Sequence, residues 1–202
     1  KGAAFGNKVK GKHIITTKIE HPAVLKTCKF LESDGFSVTY LDVDQDGLIN
    51  LKELESAIKE DTILVSIIHA NNEIGTIQDI QAIGDICKKN NILFHIDAVQ
   101  SYTKTEIDTK AVNIDLISMS SHKIHGPKGV GALFIRKGTK LAKIIHGGSQ
   151  EFNIRAGTEN IPGIIGFAKA VELADKDHIK KMQELRDFLI EELLKIPDTK
   201  LN

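Results

Sequence analysis

The sequence predicts an α/β protein: a mostly parallel sheet sandwiched by helices, with further helices beginning a smaller C-terminal domain. Three observations predict it. Six short runs rich in β-branched residues recur between residues 13 and 136, helical patterns separate the earlier ones, and from Ile161 onward the pattern is helical throughout. Strand and helix alternating at this spacing imply parallel strands covered on both faces. In such sheets ligands bind beyond the carboxyl ends of the strands.

The predicted strands, in order, are HIITTK (13–18), FSVTYL (36–41), TILVSIIHA (62–70), ILFHIDA (92–98), DLISMSS (115–121) and GALFIR (131–136). Each is short, β-branched and free of proline. The helix PAVLKTCKFLESDG opens with Pro22 at a first-turn position and stops at Gly35, the expected placement of both residues. LKELESAIKE and IQAIGDICKKNN are the next two helices, and GIIGFAKAVELA and MQELRDFLIEELLKI carry apolar residues at helical spacing beyond the last strand.

Composition limits the function classes. With 202 residues and 41% hydrophobic content the chain buries a sizeable core. Lys+Arg 27 balances Asp+Glu 27, so no overall field favours nucleic acid or an anionic membrane, and no apolar run reaches membrane-spanning length. Two distant cysteines, Cys28 and Cys87, imply neither a disulfide framework nor a zinc site. A reducing compartment is expected. The opening KGAAFGNK without Met and the ending PDTKLN soon after a helix are expected of part of a longer protein.

One stretch points elsewhere. DVDQDGLINLKE matches the calcium-loop template at Asp42, Asp44, Asp46, Gly47 and Glu53. A calcium-binding module built on Asp42 to Glu53 is therefore the non-enzymatic alternative. An EF-hand needs a helix before its loop, whereas FSVTYL precedes this one as a strand, and no second loop exists. The competing expectation is a polar connection, with Asp46-Gly47 turning and Asn50 capping the next helix.

Richer chemistry lies at the strand ends. DLISMSSHK runs out into Ser120, Ser121, His122 and Lys123, followed by glycines at 126, 129 and 131. A lysine against low-dielectric walls keeps some neutral amine to attack a carbonyl, and the hydroxyls and imidazole are donors for an oxyanion or phosphate. ILFHIDAVQS sets Asp97 and Gln100 just past another strand, and IIHANNEIG adds the amides of Asn71 and Asn72. A carboxylate at such a depth needs a cation or a donor, and a protonated pyridine ring is one such cation. Lysine, carboxylate and phosphate donors together are the set that pyridoxal phosphate requires. His122 and His125 have a metal-like spacing without a third ligand, so no metal site is assigned.

The runs TTKIEHPAVLKTC, LVSIIHANNEIGTIQDI, LFHIDAVQS, SSHKIHGPKGVGALF and RAGTENIPGIIG, in this order, resemble the cysteine desulfurases, the NifS/IscS-like group of class V aminotransferase-fold enzymes. The resemblance covers essentially the whole chain. It implies the large domain of a fold type I pyridoxal-phosphate enzyme over residues 1–165, incomplete at its N-terminus, and a helical connection over 166–202 into a truncated small domain.

The resemblance also implies roles. Lys123 would hold pyridoxal 5'-phosphate covalently and move the proton at Cα. His21 would stack on the pyridine ring and assist proton transfer, and Asp97 would pair with the ring nitrogen. Gln100 and Asn72 would bond near the phenolic oxygen, Ser120 and His122 would bind phosphate, and Thr158 would reach the phosphate of a neighbouring subunit's cofactor in a homodimer. The implied reaction takes L-cysteine to L-alanine, with sulfur passed as an enzyme persulfide to a sulfur acceptor or iron–sulfur scaffold protein. The implied compartment is the cytoplasm or an organelle matrix.

The sequence departs from the family pattern in three places. The loop bearing the nucleophilic cysteine, the upstream phosphate loop and the carboxylate-binding arginine have no counterpart. Cys28 and Cys87 fall on apolar faces of predicted helices, and Arg155 belongs to the R-A-G-T run. The chain is expected to be a cofactor-binding core that does not turn over cysteine alone. A selenocysteine lyase or an aminotransferase of the same fold is the enzymatic alternative.

Overall fold

The computed structural model describes residues 1–201. All six predicted strands form: β1 (His13–Thr17), β2 (Ser37–Leu41), β3 (Thr62–Ile68), β4 (Leu93–Asp97), β5 (Leu116–Ser120) and β6 (Gly131–Ile135). They make one sheet in the order β2-β1-β3-β4-β5-β6. The first five are parallel, and β6 returns antiparallel to β5.

The predicted helices are α2 (Pro22–Ser33), α3 (Leu51–Ala57), α4 (Ile80–Lys89), α6 (Ile161–Glu172) and α7 (Lys176–Leu193). Local chemistry starts each one. Asn50 Oδ1 accepts from the Lys52 N–H at 2.9 Å, and Asp79 Oδ1 from the Ala82 N–H at 3.0 Å. Asn160 and Asp175 cap α6 and α7 in the same way, each satisfying an orphan donor of the first turn.

Two further α-helices, α1 (Gly2–Asn7) and the single turn α5 (Gln150–Asn153), are additions to the prediction. GAAFGN lacks helical periodicity and is held by tertiary contacts instead. Asn7 Nδ2 donates to Ala3 O at 2.8 Å and to Lys140 O at 3.1 Å. A Cβ on Gly6 would stand 2.9 Å from both Ala142 N and Lys140 O, so only glycine permits that approach. In α5, Glu151 and Phe152 adopt left-handed φ values of 46° and 54°.

The core has two layers, one on each face of the sheet. Ile15, Val65, Ile67, Phe94 and Ile96 face Leu54 of α3 and Ile83 and Cys87 of α4. Ile14, Leu64 and Leu116 face Ala3 and Ala4 of α1 and Leu31 of α2. Neighbours such as Ile14 and Ile15 thus serve opposite layers, following the two-residue period of a strand. Each fully buried large apolar side chain contributes roughly 1.5–3 kcal/mol.

This arrangement has a functional consequence. From β1 the chain moves outward to β2, then returns across β1 to β3, and α2 and α4 cover opposite faces. The carboxyl ends of β1 and β3 therefore border the crevice where the strand order reverses, the usual place for a ligand.

The Asp42–Glu53 stretch is a turn followed by a capped helix. Asp44 Oδ1 accepts from the N–H groups of Asp46 and Leu48, both at 2.9 Å. Gly47 takes φ 77°, and Asp42 is paired with Lys18 at 2.6 Å. β2 enters this turn, so its frame is strand–turn–helix. Beyond β6, α6 packs on the body through Phe167, edge-to-face with Tyr102 at 6.2 Å. Met182, Leu185, Phe188 and Leu189 of α7 are exposed. Among the described residues no helix is long and apolar enough to cross a membrane.

Candidate active site

At the carboxyl ends of β1, β3, β4 and β5, a cavity of about 380 Å³ is lined by His21, Asn72, Asp97, Gln100, Ser120, His122 and Lys123, with Ala23, Ile68 and Val99. Seven of the eight residues expected at a site therefore converge on one space. Thr158 does not line it; it is exposed on the loop before α6.

Each residue is placed by a short local device. Nδ1 of His21 accepts from the Ala23 N–H at 3.1 Å, so the imidazole is the N-cap of α2. Asp97 is the last residue of β4 and only 7% exposed. Its Oδ1 accepts from the Val99 N–H at 3.0 Å. Burial pushes the Asp97 carboxyl above its ordinary range, while the Val99 N–H pulls it back. A buried carboxylate that lines a cavity and makes no ion pair among the described residues is set to receive a cationic N–H from a ligand.

Gln100 lies one turn further on. Its Oε1 is directed at Lys104 Nζ, 3.4 Å away, which leaves its NH₂ as the donor for the cavity. Burial, with the charge of Lys123, holds the Lys104 amine below its usual range. After β5 the chain makes a 3-10 turn, Ser121–Ile124, that presents Lys123. Ser120 Oγ and His122 Nδ1 are 2.8 Å apart. Ser121 is turned inward and fully buried, so it is not a donor to the cavity. Asn71 is likewise structural, because its Nδ2 donates to Ile19 O at 2.8 Å. Asn72 is the amide that reaches the cavity.

Lys123 departs from its expected setting. The sequence predicts low-dielectric walls around it, yet the residue, on the 3-10 turn, lines the cavity while exposed.

Two residues outside the predicted set reinforce the site. Glu20, beside His21, is 4% exposed, and its Oε1 accepts from Thr17 Oγ1 at 2.7 Å and the Ile68 N–H at 2.9 Å. His69 is buried with Nδ1 2.9 Å from Ser101 Oγ, and its N–H donates to Asp97 O at 3.0 Å. His69 carries a signal in its place just past a strand, whereas Glu20 carries none.

The cysteines are inert by placement. Cys28 and Cys87 are 4% and 1% exposed, and burial pushes their thiols up to about 11 and about 12. Neither carries the thiolate character a nucleophile needs.

Comparison with known proteins agrees with the geometry. The family model described as "Aminotransferase class-V" matches residues 3–202. A cysteine desulfurase IscS of Methanosarcina thermophila is 58% identical over 100% of this chain and 51% of its own length. One of Clostridium botulinum is 54% identical over 100% of this chain and 52% of its own. A solved NifS-like protein superposes with a TM-score of 0.90 at 45% identity, covering 96% of this chain and 55% of that one. A structure titled "SspA in complex with cysteine" gives 0.79 at 45% identity, over 85% of this chain and 53% of its own. The chain spans about half the length of the curated relatives it matches. With a match over nearly every residue, and a lysine and a buried carboxylate lining one cavity at the strand ends, the chain belongs to the class-V aminotransferase family.

Proposed function

We propose that this chain is the pyridoxal-phosphate-binding core of a cysteine desulfurase. The observation that carries the reading is the convergence of Lys123, Asp97 and His21 on one cavity, with Ser120 and His122 beside the lysine. The names of the similar proteins, and the neighbour solved with cysteine, support the same substrate class.

The donor set fits the cofactor. Lys123 Nζ would hold it covalently, and Asp97 would accept from the pyridine N–H. The His21 imidazole would cover one face of the ring, and the amides of Gln100 and Asn72 would bond near the phenolic oxygen. Ser120 and His122 would donate to phosphate. When bound, pyridoxal phosphate supplies an electron sink for negative charge developing at the substrate Cα. With its Nζ free, Lys123 would take the substrate Cα proton and hold it.

In this reading L-cysteine becomes L-alanine and its sulfur leaves as a persulfide for an acceptor or iron–sulfur scaffold protein. The sulfur-accepting thiolate is neither Cys28 nor Cys87, so this chain alone does not sustain turnover. Thr158, exposed and away from this cavity, would serve the phosphate of a partner's cofactor in a homodimer. Residues 1–165 would form the cofactor-binding body and 166–202 the connection to a smaller domain. Unpaired buried cysteines suit a cytoplasmic or organelle-matrix setting.

Mixing the chain with pyridoxal phosphate, L-cysteine and a reductant tests the reading. A change in the bound cofactor's visible spectrum on adding cysteine, without accumulating sulfide and alanine, is expected. No spectral response, or sustained product, would overturn it.

A further inference from the structure

Glu20 has a burden the proposed chemistry does not use. It lies in the turn between β1 and α2, immediately before His21, and is 4% exposed. Its Oε1 accepts from Thr17 Oγ1 and the Ile68 N–H at 2.7 and 2.9 Å, whereas Oε2 is buried without a partner. A second bond ties the same turn to the end of β3, from Asn71 Nδ2 to Ile19 O at 2.8 Å. Glu20 takes part in none of the ion pairs among the described residues. The titratable group whose charge acts on it is Asp97 of β4, and it acts in turn on the Cys28 thiol of α2; neither is a cation.

We propose that Glu20 is a positioning residue that fixes the His21 ring over the cavity by tying the β1–α2 turn to the end of β3. His21 follows it directly, and the imidazole is also fixed at Nδ1 by the Ala23 N–H. The turn is therefore held at both ends, by a side chain reaching into the sheet and by the first turn of α2. A second buried negative charge beside Asp97, with no cation to offset it, is costly; a neutral acid keeps Asp97 as the one carboxylate facing a ligand's N–H. That purpose rests on the proposed function, while the tether stands on the hydrogen bonds.

The test is ¹⁵N NMR of the His21 ring and the Ala23 amide in the cofactor-free chain. Glu20→Gln keeps an oxygen for Thr17 and Ile68 and is uncharged, so the wild-type signals and the single ring tautomer are expected to persist. Glu20→Ala is expected to shift both signals and average the tautomers. Should that variant not fold, Glu20→Asp, one methylene too short to reach the Ile68 N–H, replaces it with the same expectation. A merely structural role would lower the Tm of Glu20→Ala and leave the His21 signals in place, which would overturn the proposal. Titration with pyridoxal phosphate then reads the consequence: about tenfold weaker Kd for Glu20→Ala and about equal Kd for Glu20→Gln. If wild type takes up no pyridoxal phosphate, the functional reading falls, and the His21 signals still decide the tether.

Discussion

Nδ1 of His21 and the backbone N–H of Ala23 lie 3.1 Å apart in a hydrogen bond, so the imidazole that faces the cavity is also the cap of α2. The two duties separate experimentally. His21→Ala loses both and is expected to cost about 0.5–2 kcal/mol of stability, the usual value of a lost cap. His21→Asn restores the cap without a ring. Its urea midpoint should return toward wild type, while its binding of pyridoxal phosphate stays as weak as that of His21→Ala.

Glu20 makes stability depend on pH. Burial, first, and the nearby Asp97 charge raise its carboxyl to about 7 from 4.5, against the pull of its bonds to Ile68 and Thr17. A raised folded value means the acid form is favoured by folding. Its contribution is fully present below the unfolded value and is lost as pH rises through the folded one. Relative to Glu20→Gln, wild type should lose on the order of 1–3 kcal/mol between about pH 4.5 and pH 8. Urea denaturation across that range measures it, and parallel profiles would contradict the assignment.

The Asp42–Glu53 turn should ignore calcium. Asp42 is engaged by Lys18 and Asp44 by two backbone N–H groups, so calorimetry with millimolar calcium should show no binding heat. Gly47→Ala, by contrast, should destabilise the fold by about 1–2 kcal/mol, because a side chain there is strained at φ 77° and would stand 2.5 Å from Ile74 Cδ1.

Both thiols should resist alkylation. With Cys28 raised to about 11 and Cys87 to about 12 by burial, iodoacetamide at pH 8 should label the native chain far more slowly than the urea-unfolded one. Rapid labelling of either in the folded chain, detected by mass spectrometry, would contradict their exclusion as sulfur carriers.

Much of this architecture was legible in the sequence because buried parallel strands and capped helices carry strong local signals. HIITTK and TILVSIIHA formed strands within a residue or two of their predicted ends, and Pro22 and Asn50 marked helix starts correctly. The candidate site was legible for the same reason, since Asp97 and Ser120 are polar residues at the carboxyl ends of strands. What remained hidden depends on three-dimensional neighbours. Helix α1 is fixed by Lys140 and Ala142, distant in sequence. The left-handed turn at Glu151 and Phe152 follows no composition rule. Glu20 reads as an ordinary surface carboxylate until the fold brings Ile68 to it, and the exposure of Lys123 follows from the 3-10 turn that carries it.

The central claim is that Lys123 is the amine that holds pyridoxal phosphate beside Asp97. Adding pyridoxal phosphate to the chain and following the visible absorbance of its lysine-bound form, before and after borohydride reduction and peptide mapping, tests this most directly. The account predicts a label on Lys123 and no such absorbance from Lys123→Ala. Equal absorbance from that variant, or a label confined to Lys104, would contradict it.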